Sequence, residues 1–202
     1  MNVLTKISIV AIILIMFMGC RNSVEQPHPC NLPTDKDIDV VKIEITATKQ
    51  SSEGMYGIVS EIGFAKYGND ILEFEFPAII SDEYLGEYFW YNSENIIPEG
   101  VTISDPQAKV GLFEISAYNK AKEYIGYFVF CYDVQNGWYA EHIYTDRSFT
   151  IKGISKRGCV FDCSLEKGWN IRYYTPLNKG KYTTQKPSNE ELKWRYEEIK
   201  CM

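Results

Sequence analysis

YIGYFVFCYDVQNGWYAEHIYTDRSFTIKGISKRGCVFDCSLEKGWNIRYY, residues 124 to 174, is the longest run of the chain in which apolar alternation and turn glycines agree. Alternation with period two marks half-buried strands, and Gly, Asn and Asp between such runs mark reversals. The stretch reads as consecutive antiparallel strands. Lys109 to Tyr118 feeds into it, Tyr124 to Asp133 follows, and Asn136-Gly137 matches a tight two-residue turn. Trp138 to Tyr144, Ser148 to Ile154, Val160 to Leu165 and Trp169 to Thr175 continue the meander. The last hairpin is expected to close through the three-residue loop Glu166-Lys167-Gly168. That register puts Leu165 opposite Trp169, Cys163 opposite Ile171 and Phe161 opposite Tyr173, with Asp162 and Arg172 paired on the polar side. Gly168 falls where a left-handed residue closes such a loop.

Upstream, Ile38 to Thr48 alternates and gives a first strand. Tyr56 to Tyr67 reads as a strand pair or one bulged strand, and Ile71 to Pro77 alternates again. Ile79 to Tyr91 fits strand or short helix equally. Pro98-Glu99-Gly100 is a turn before a short strand, Val101 to Ser104. Downstream, Pro176 to Pro187 is polar loop. Ser188 with Glu191 forms a capping box, and Leu192, Tyr196 and Ile199 make one stripe, so a short C-terminal helix over Ser188 to Lys200 is expected. The fold class that follows is all-β, an antiparallel sandwich of immunoglobulin-like kind.

The N-terminus obeys different rules. Met1 to Lys6 carries one positive charge, Ile7 to Met18 is an apolar run of 12 residues, and Gly19-Cys20 follows. A bilayer span needs roughly 20 residues, so the run fits the core of a secretory signal instead. Its end resembles a bacterial lipoprotein signal, in which the cysteine after a small residue is lipidated and becomes the first mature residue. Phe17 and Met18 depart from the usual leucine and small residue and fit the relaxed version of Bacteroidetes. Lipidation of Cys20 is the expectation, with an uncleaved anchor or an ordinary secretory signal as the other readings. Several acyl chains on one cysteine hold a protein stably on a membrane, each buried methylene contributing about 0.8 kcal/mol. The expected address is the cell envelope, lipid-anchored to a bacterial membrane, the outer membrane first. Arg21 to Asp37, with Pro27, Pro29 and Pro33 among polar residues, reads as a tether. The chain thus divides into a signal (1–19), a tether (20–37), a β domain (38–176) and a loop with terminal helix (177–202). Two packed sub-domains with a boundary near 98–108 are the other division.

Loss of residues 1–19 removes only Lys6 from the charged residues, so 21 Lys and Arg become 20 against 27 Asp and Glu, and the net charge becomes −7. That balance argues against nucleic acid or an anionic lipid surface as partner. The order Tyr144, Asp146, Ile151, Gly153, then Leu165-Glu166-Lys167-Gly168-Trp169-Asn170, resembles the C-terminal part of a group of β-rich lipoproteins of Bacteroidetes. The resemblance covers about a third of the chain. It implies fold and location and brings no catalytic residues with it.

Candidate chemistry is sparse. Beyond Cys20, Cys30, Cys131, Cys159, Cys163 and Cys201 are an odd number for an exported protein. Cys159 and Cys163 lie four residues apart in one strand, about 13 Å, too far for a bridge. Cys131 and Cys163 fit core-facing positions; a bridge from Cys131 to one of the pair, or from Cys30 to Cys201, is open. Two histidines, His28 and His142, without Cys-x-x-Cys or His-x-x-x-His spacing, give no metal site and no cofactor is implied. Without a Gly-x-Ser-x-Gly elbow a serine hydrolase is excluded. A cysteine nucleophile requires Cys131 beside His142, which the two-residue turn would set opposite one another. Carboxylate pairs include Asp82, Glu83 and Glu87, Glu73 and Glu75, and Glu141 and Asp146. A dense aromatic run, Tyr84, Tyr88, Phe89, Trp90 and Tyr91, is either core or a stacking platform for sugar rings or a protein. The function expected is a non-enzymatic binding or scaffolding module for glycan or envelope protein; the alternative is a hydrolase of envelope or dietary glycan, with Glu141 and Asp146 as its carboxylates.

Overall fold

The computed structural model describes residues 37–51, 54–69, 71–87, 97–132, 137–187 and 191–198. Within them the chain is all-β, with short 3-10 turns at Asp82–Tyr84 and Leu177–Lys179. Thirteen strands form one mostly antiparallel hydrogen-bonded sheet. They are β1 (Val40–Ser51), β2 (Gly54–Gly68), β3 (Ile71–Glu73), β4 (Gly86–Glu87), β5 (Val101–Ile103), β6 (Lys109–Tyr118) and β7 (Tyr124–Cys131). The remainder are β8 (Tyr139–Thr145), β9 (Phe149–Ile154), β10 (Val160–Leu165), β11 (Gly168–Thr175), β12 (Lys181–Thr183) and β13 (Lys193–Glu198). Among the described residues no helix is long and apolar enough to cross a membrane.

The path through the sheet runs β3-β2-β1-β6-β7-β8-β11-β12-β10-β9-β5. Its centre, β6 with β8 and β11, is buried on both faces, and each face carries its own core. On one face Phe113, Ile115 and Ala117 of β6 join Val41, Ile43 and Ile45 of β1, Phe128, Tyr144 and Tyr196. On the other, Val110 and Ile143 join Phe149, Ile151, Cys163, Leu165 and Tyr182. The expected pair of separate immunoglobulin-like sheets is therefore replaced, at the level of hydrogen bonding, by one sheet whose two halves cover opposite faces of a shared centre.

Three expectations are corrected. The segment expected to be a C-terminal helix contains a strand: Lys193–Glu198 pairs antiparallel with β7, from Lys193 opposite Cys131 to Glu198 opposite Gly126. Trp194 and Tyr196 alternate with Lys193, Arg195 and Glu197, so period two fits as well as the helical stripe, and a free edge on β7 decides between them. Tyr196 is 2% exposed, its hydroxyl donates to the Ile125 carbonyl at 2.9 Å, and its ring covers Gly126, where any Cβ would stand 2.4 Å from the phenol oxygen. Ser188 of the capping box lies outside the described residues.

The final hairpin is also rebuilt. β10 pairs with β9 and with β12 in parallel, whereas β11 pairs with β8 and β12, so β10 and β11 do not pair with each other. Gly168 does take φ +100°, and Cys163 and Leu165 do face a core. Trp169 and Tyr173, however, serve the opposite face. The Asp162–Arg172 pair is absent; Asp162 binds Lys152 and Arg172 binds Glu141. Finally, Cys131 stands opposite Tyr139 and Phe130 opposite Ala140, while Tyr132 N–H donates to the Trp138 carbonyl at 3.1 Å. That register differs from the one a two-residue turn at Asn136-Gly137 would set, Cys131 opposite His142; Asn136 itself lies outside the described residues.

Candidate functional site

The pairing of β6 changes partner part-way along. Val110 to Leu112 pair with Thr145 to Ile143 of β8, whereas Ile115 to Tyr118 pair with Phe128 to Tyr124 of β7. β7 in turn meets β8 only at Phe130 and Cys131. Between these three short ladders, Phe113 and Glu114, Val129, and Glu141 and His142 have no ladder partner across the junction. The sheet opens there into a cavity of about 290 Å³. Rings from both faces line it, among them Tyr124, Tyr127, Tyr139, Tyr174, Phe130 and Trp194, together with Glu114, Glu141, Glu197 and His142.

Each acidic group there has a different neighbourhood. Glu141 is held by Arg172, whose Nε donates at 2.8 Å and whose Nη2 lies 2.6 Å from the same oxygen. Arg172 is 5% exposed and lies over the Tyr182 ring at 5.1 Å, so the pair is enclosed and its rupture would strand a buried charge. Glu197 accepts the Tyr127 hydroxyl. Burial, then Glu44 and Glu141, push the Glu114 carboxyl up to about 8, with the nearby Thr46 hydroxyl acting the other way though it makes no hydrogen bond of normal geometry. Glu44, opposite Glu114 on β1, accepts from the Tyr118 hydroxyl at 3.2 Å.

His142 is the neutral member. Burial pushes its pKa down to about 4, and its ring lies between Trp194, 5.6 Å away at 16°, and Phe76, at 4.9 Å. It is held as an aromatic wall rather than as a base in wait at neutral pH. Beside it Phe130 stacks on Trp194 at 4.9 Å. On the acidic side a ladder of rings crosses the sheet: Tyr139 on Tyr174 at 6.1 Å, Tyr174 on Tyr182 at 4.8 Å, and Tyr182 on Phe161 at 5.1 Å.

The residues expected from sequence are distributed differently. Tyr84 is half-buried and packs on the core shared by β1 and β6, which favours its core reading. Tyr88, Phe89, Trp90 and Tyr91 lie outside the described residues, as do Cys20, Cys30 and Cys201. Glu141 reaches the cavity but Asp146 does not. Asp146 sits beyond the end of β8, accepting from Lys109 N–H at 2.8 Å and bound by Arg147. Five residues of extended chain span about 16 Å, beyond the roughly 5 to 10 Å of a glycosidase pair. Glu73, Glu75, Asp82, Glu83 and Glu87 are exposed. Cys131, Cys159 and Cys163 are buried thiols, so the bridge from Cys131 to either of the others is not formed. Burial pushes the Cys163 thiol up to about 11. Cys131 shares a face with Tyr139 and His142 with Ala140, so the nucleophile pairing is corrected to opposite faces.

Glu114 and the tyrosines around it did not stand out in the sequence. The one available signal was a lone Glu in an otherwise apolar strand, GLFEIS, where alternation calls for a core side chain or an outward polar one. Among the described residues no three His, Cys, Asp or Glu side chains are grouped so as to hold a metal ion. Compared with family models, with curated proteins and with solved structures, the chain matches none.

Proposed function

We propose that this chain is a non-enzymatic binding module of the bacterial cell envelope, lipid-anchored through Cys20, whose ligand enters the cavity between β6, β7 and β8. The observation that carries the reading is the cavity itself: aromatic walls with a few convergent polar groups, the usual composition of a small-molecule site. Its 290 Å³ suits one or two sugar-sized rings. A protein partner needs roughly 800 Å² of surface on each side, so of the two partners expected from sequence the cavity favours glycan. The two halves of the sheet, each folded over its own core, are read as the layers of a sandwich that shapes the site. The acidic balance of the chain supports a partner other than nucleic acid.

The test is a glycan array probed with the 202-residue protein and with Val129→Trp, which fills the cavity from β7. Binding by the natural chain, lost in a folded Val129→Trp variant, is the expected result. Silence of the array together with turnover of a polysaccharide would overturn the reading.

That second outcome belongs to the alternative, a glycan hydrolase, and one observation favours it. Burial holds the Glu114 carboxyl protonated at neutral pH, while Arg172 is ion-paired with Glu141, an arrangement suited to an acid beside a second carboxylate. The pair would then be Glu114 and Glu141 in place of Glu141 and Asp146. Loss of turnover in Glu114→Gln, with binding retained, would establish it.

A further inference from the structure

We infer that the cavity at the β6, β7 and β8 junction takes a ligand carrying an organic ammonium group, with the Glu114 carboxylate as its ionic partner and the tyrosine rings as its walls. The inference rests on the binding reading above and narrows its ligand class.

Three observations carry it. First, among the described residues that line the cavity every charged side chain is a glutamate, Glu114, Glu141 and Glu197, with no lysine or arginine. Arg172 approaches from the wall and is committed to Glu141, and Glu197 is committed to the Tyr127 hydroxyl. Glu114 keeps acceptor capacity: the Thr46 hydroxyl lies beside it but makes no hydrogen bond of normal geometry. A buried carboxylate in that position is costly until a donor or a cation meets it.

Second, Tyr124, Tyr127, Tyr139 and Tyr174 line the same cavity, and the faces of aromatic rings attract ammonium groups, the more strongly when water is excluded. Third, the other ligand classes fit less well. An anion would face three carboxylates. A metal ion asks for several grouped ligands, and among the described residues no such group exists. A neutral sugar would leave Glu114 in the protonated form that burial favours and gain no ionic contact from it, whereas a cation draws out the carboxylate and releases its proton. An ammonium group supplies donors and charge together.

The test is titration calorimetry of the 202-residue protein against two matched pairs, choline with its neutral carbon twin 3,3-dimethylbutan-1-ol, and glucosamine with glucose. In each pair the cationic member is expected to bind at least about tenfold tighter, a difference of about 1.4 kcal/mol. Glu114→Gln should abolish that preference, whereas Glu99→Gln, on the surface, should keep it. Should Glu114→Gln fail to fold, Tyr139→Leu removes one wall and is expected to weaken the cationic members selectively. Equal binding of the neutral twins would overturn the ammonium inference and leave the glycan-binding reading standing. Silence from all four ligands would overturn the inference as well, and the binding reading would then stand or fall on whether Val129→Trp alters glycan capture.

Discussion

Glu114 and Ile115 are neighbours in one strand and occupy opposite environments. Ile115, fully enclosed, sits among Ile43, Phe113 and Phe128 in an apolar core that forms one wall of the cavity. Glu114 points the other way, into a cavity that exists because β6 exchanges β8 for β7 at that position. The same contrast recurs on β8, where His142 stacks among rings and Glu141 is clasped by Arg172. Alternation therefore does two jobs at the centre of the sheet. It builds a core on one side and suspends carboxylates over an opening on the other. A ladder break in the middle of a sheet costs hydrogen bonds and packing, and the molecule retains it where its polar side chains converge.

Breaking the polar side should have the largest effect. Arg172→Ala removes an enclosed guanidinium and leaves the half-buried Glu141 without its cation, and is expected to cost about 3 kcal/mol in urea denaturation. Arg172→Met combined with Glu141→Gln should recover most of that loss; if it does not, packing of the guanidinium on Tyr182 rather than charge is what matters. On the apolar side, Ile115→Ala removes a fully enclosed side chain and should cost about 2 to 5 kcal/mol. A cost under about 1 kcal/mol would mean that the two faces are equally open.

Acidity sharpens the comparison further. Because Glu114 binds its proton more tightly folded than unfolded, its contribution is fully present below pH 4.5 and is lost as pH rises through about 8. His142 runs the other way, its neutral form being preferred, so stability is lost as pH falls from 6.5 towards about 4. The two slopes oppose one another in mildly acidic solution, and above pH 6.5 Glu114 acts alone. Stability should therefore fall by up to about 2 kcal/mol between pH 6.5 and 8, and Glu114→Gln should flatten that decline in thermal melts. At the bottom of the scale, Asp162→Asn breaks a surface pair with Lys152 and should shift the unfolding free energy by only about 0.2 to 1 kcal/mol.

Strand positions were legible in the sequence far better than strand partners. Lys109 to Tyr118 and Val160 to Leu165 match β6 and β10 to the residue, and the ambiguous Tyr56 to Tyr67 resolves into one bulged strand, with the register shift opposite Ile43 and Glu44. Pro98-Glu99-Gly100 is the turn expected, with Gly100 at φ +87° and Val101 N–H donating to the Pro98 carbonyl at 2.9 Å. Partners are harder because alternation tells which side chains share a face and not which strand lies alongside. Where both faces are buried, as on β11, Trp169 and Arg172 each find an enclosed place, and a polar-out rule sends Arg172 to the wrong neighbour. The short β12 that separates β10 from β11 is three residues in a polar stretch, below what periodicity detects. The cavity was illegible for the same reason, since it is made by a change of partner and not by any motif.

The carboxyl carbon of Glu114, followed by NMR across pH in protein labelled at glutamate and assigned by difference from Glu114→Gln, tests the central claim most directly. A midpoint near 8 for Glu114 is the predicted result. Titration of every glutamate between about 4 and 5, the range of solvated side chains, would mean that Glu114 faces open water and that the cavity does not exist.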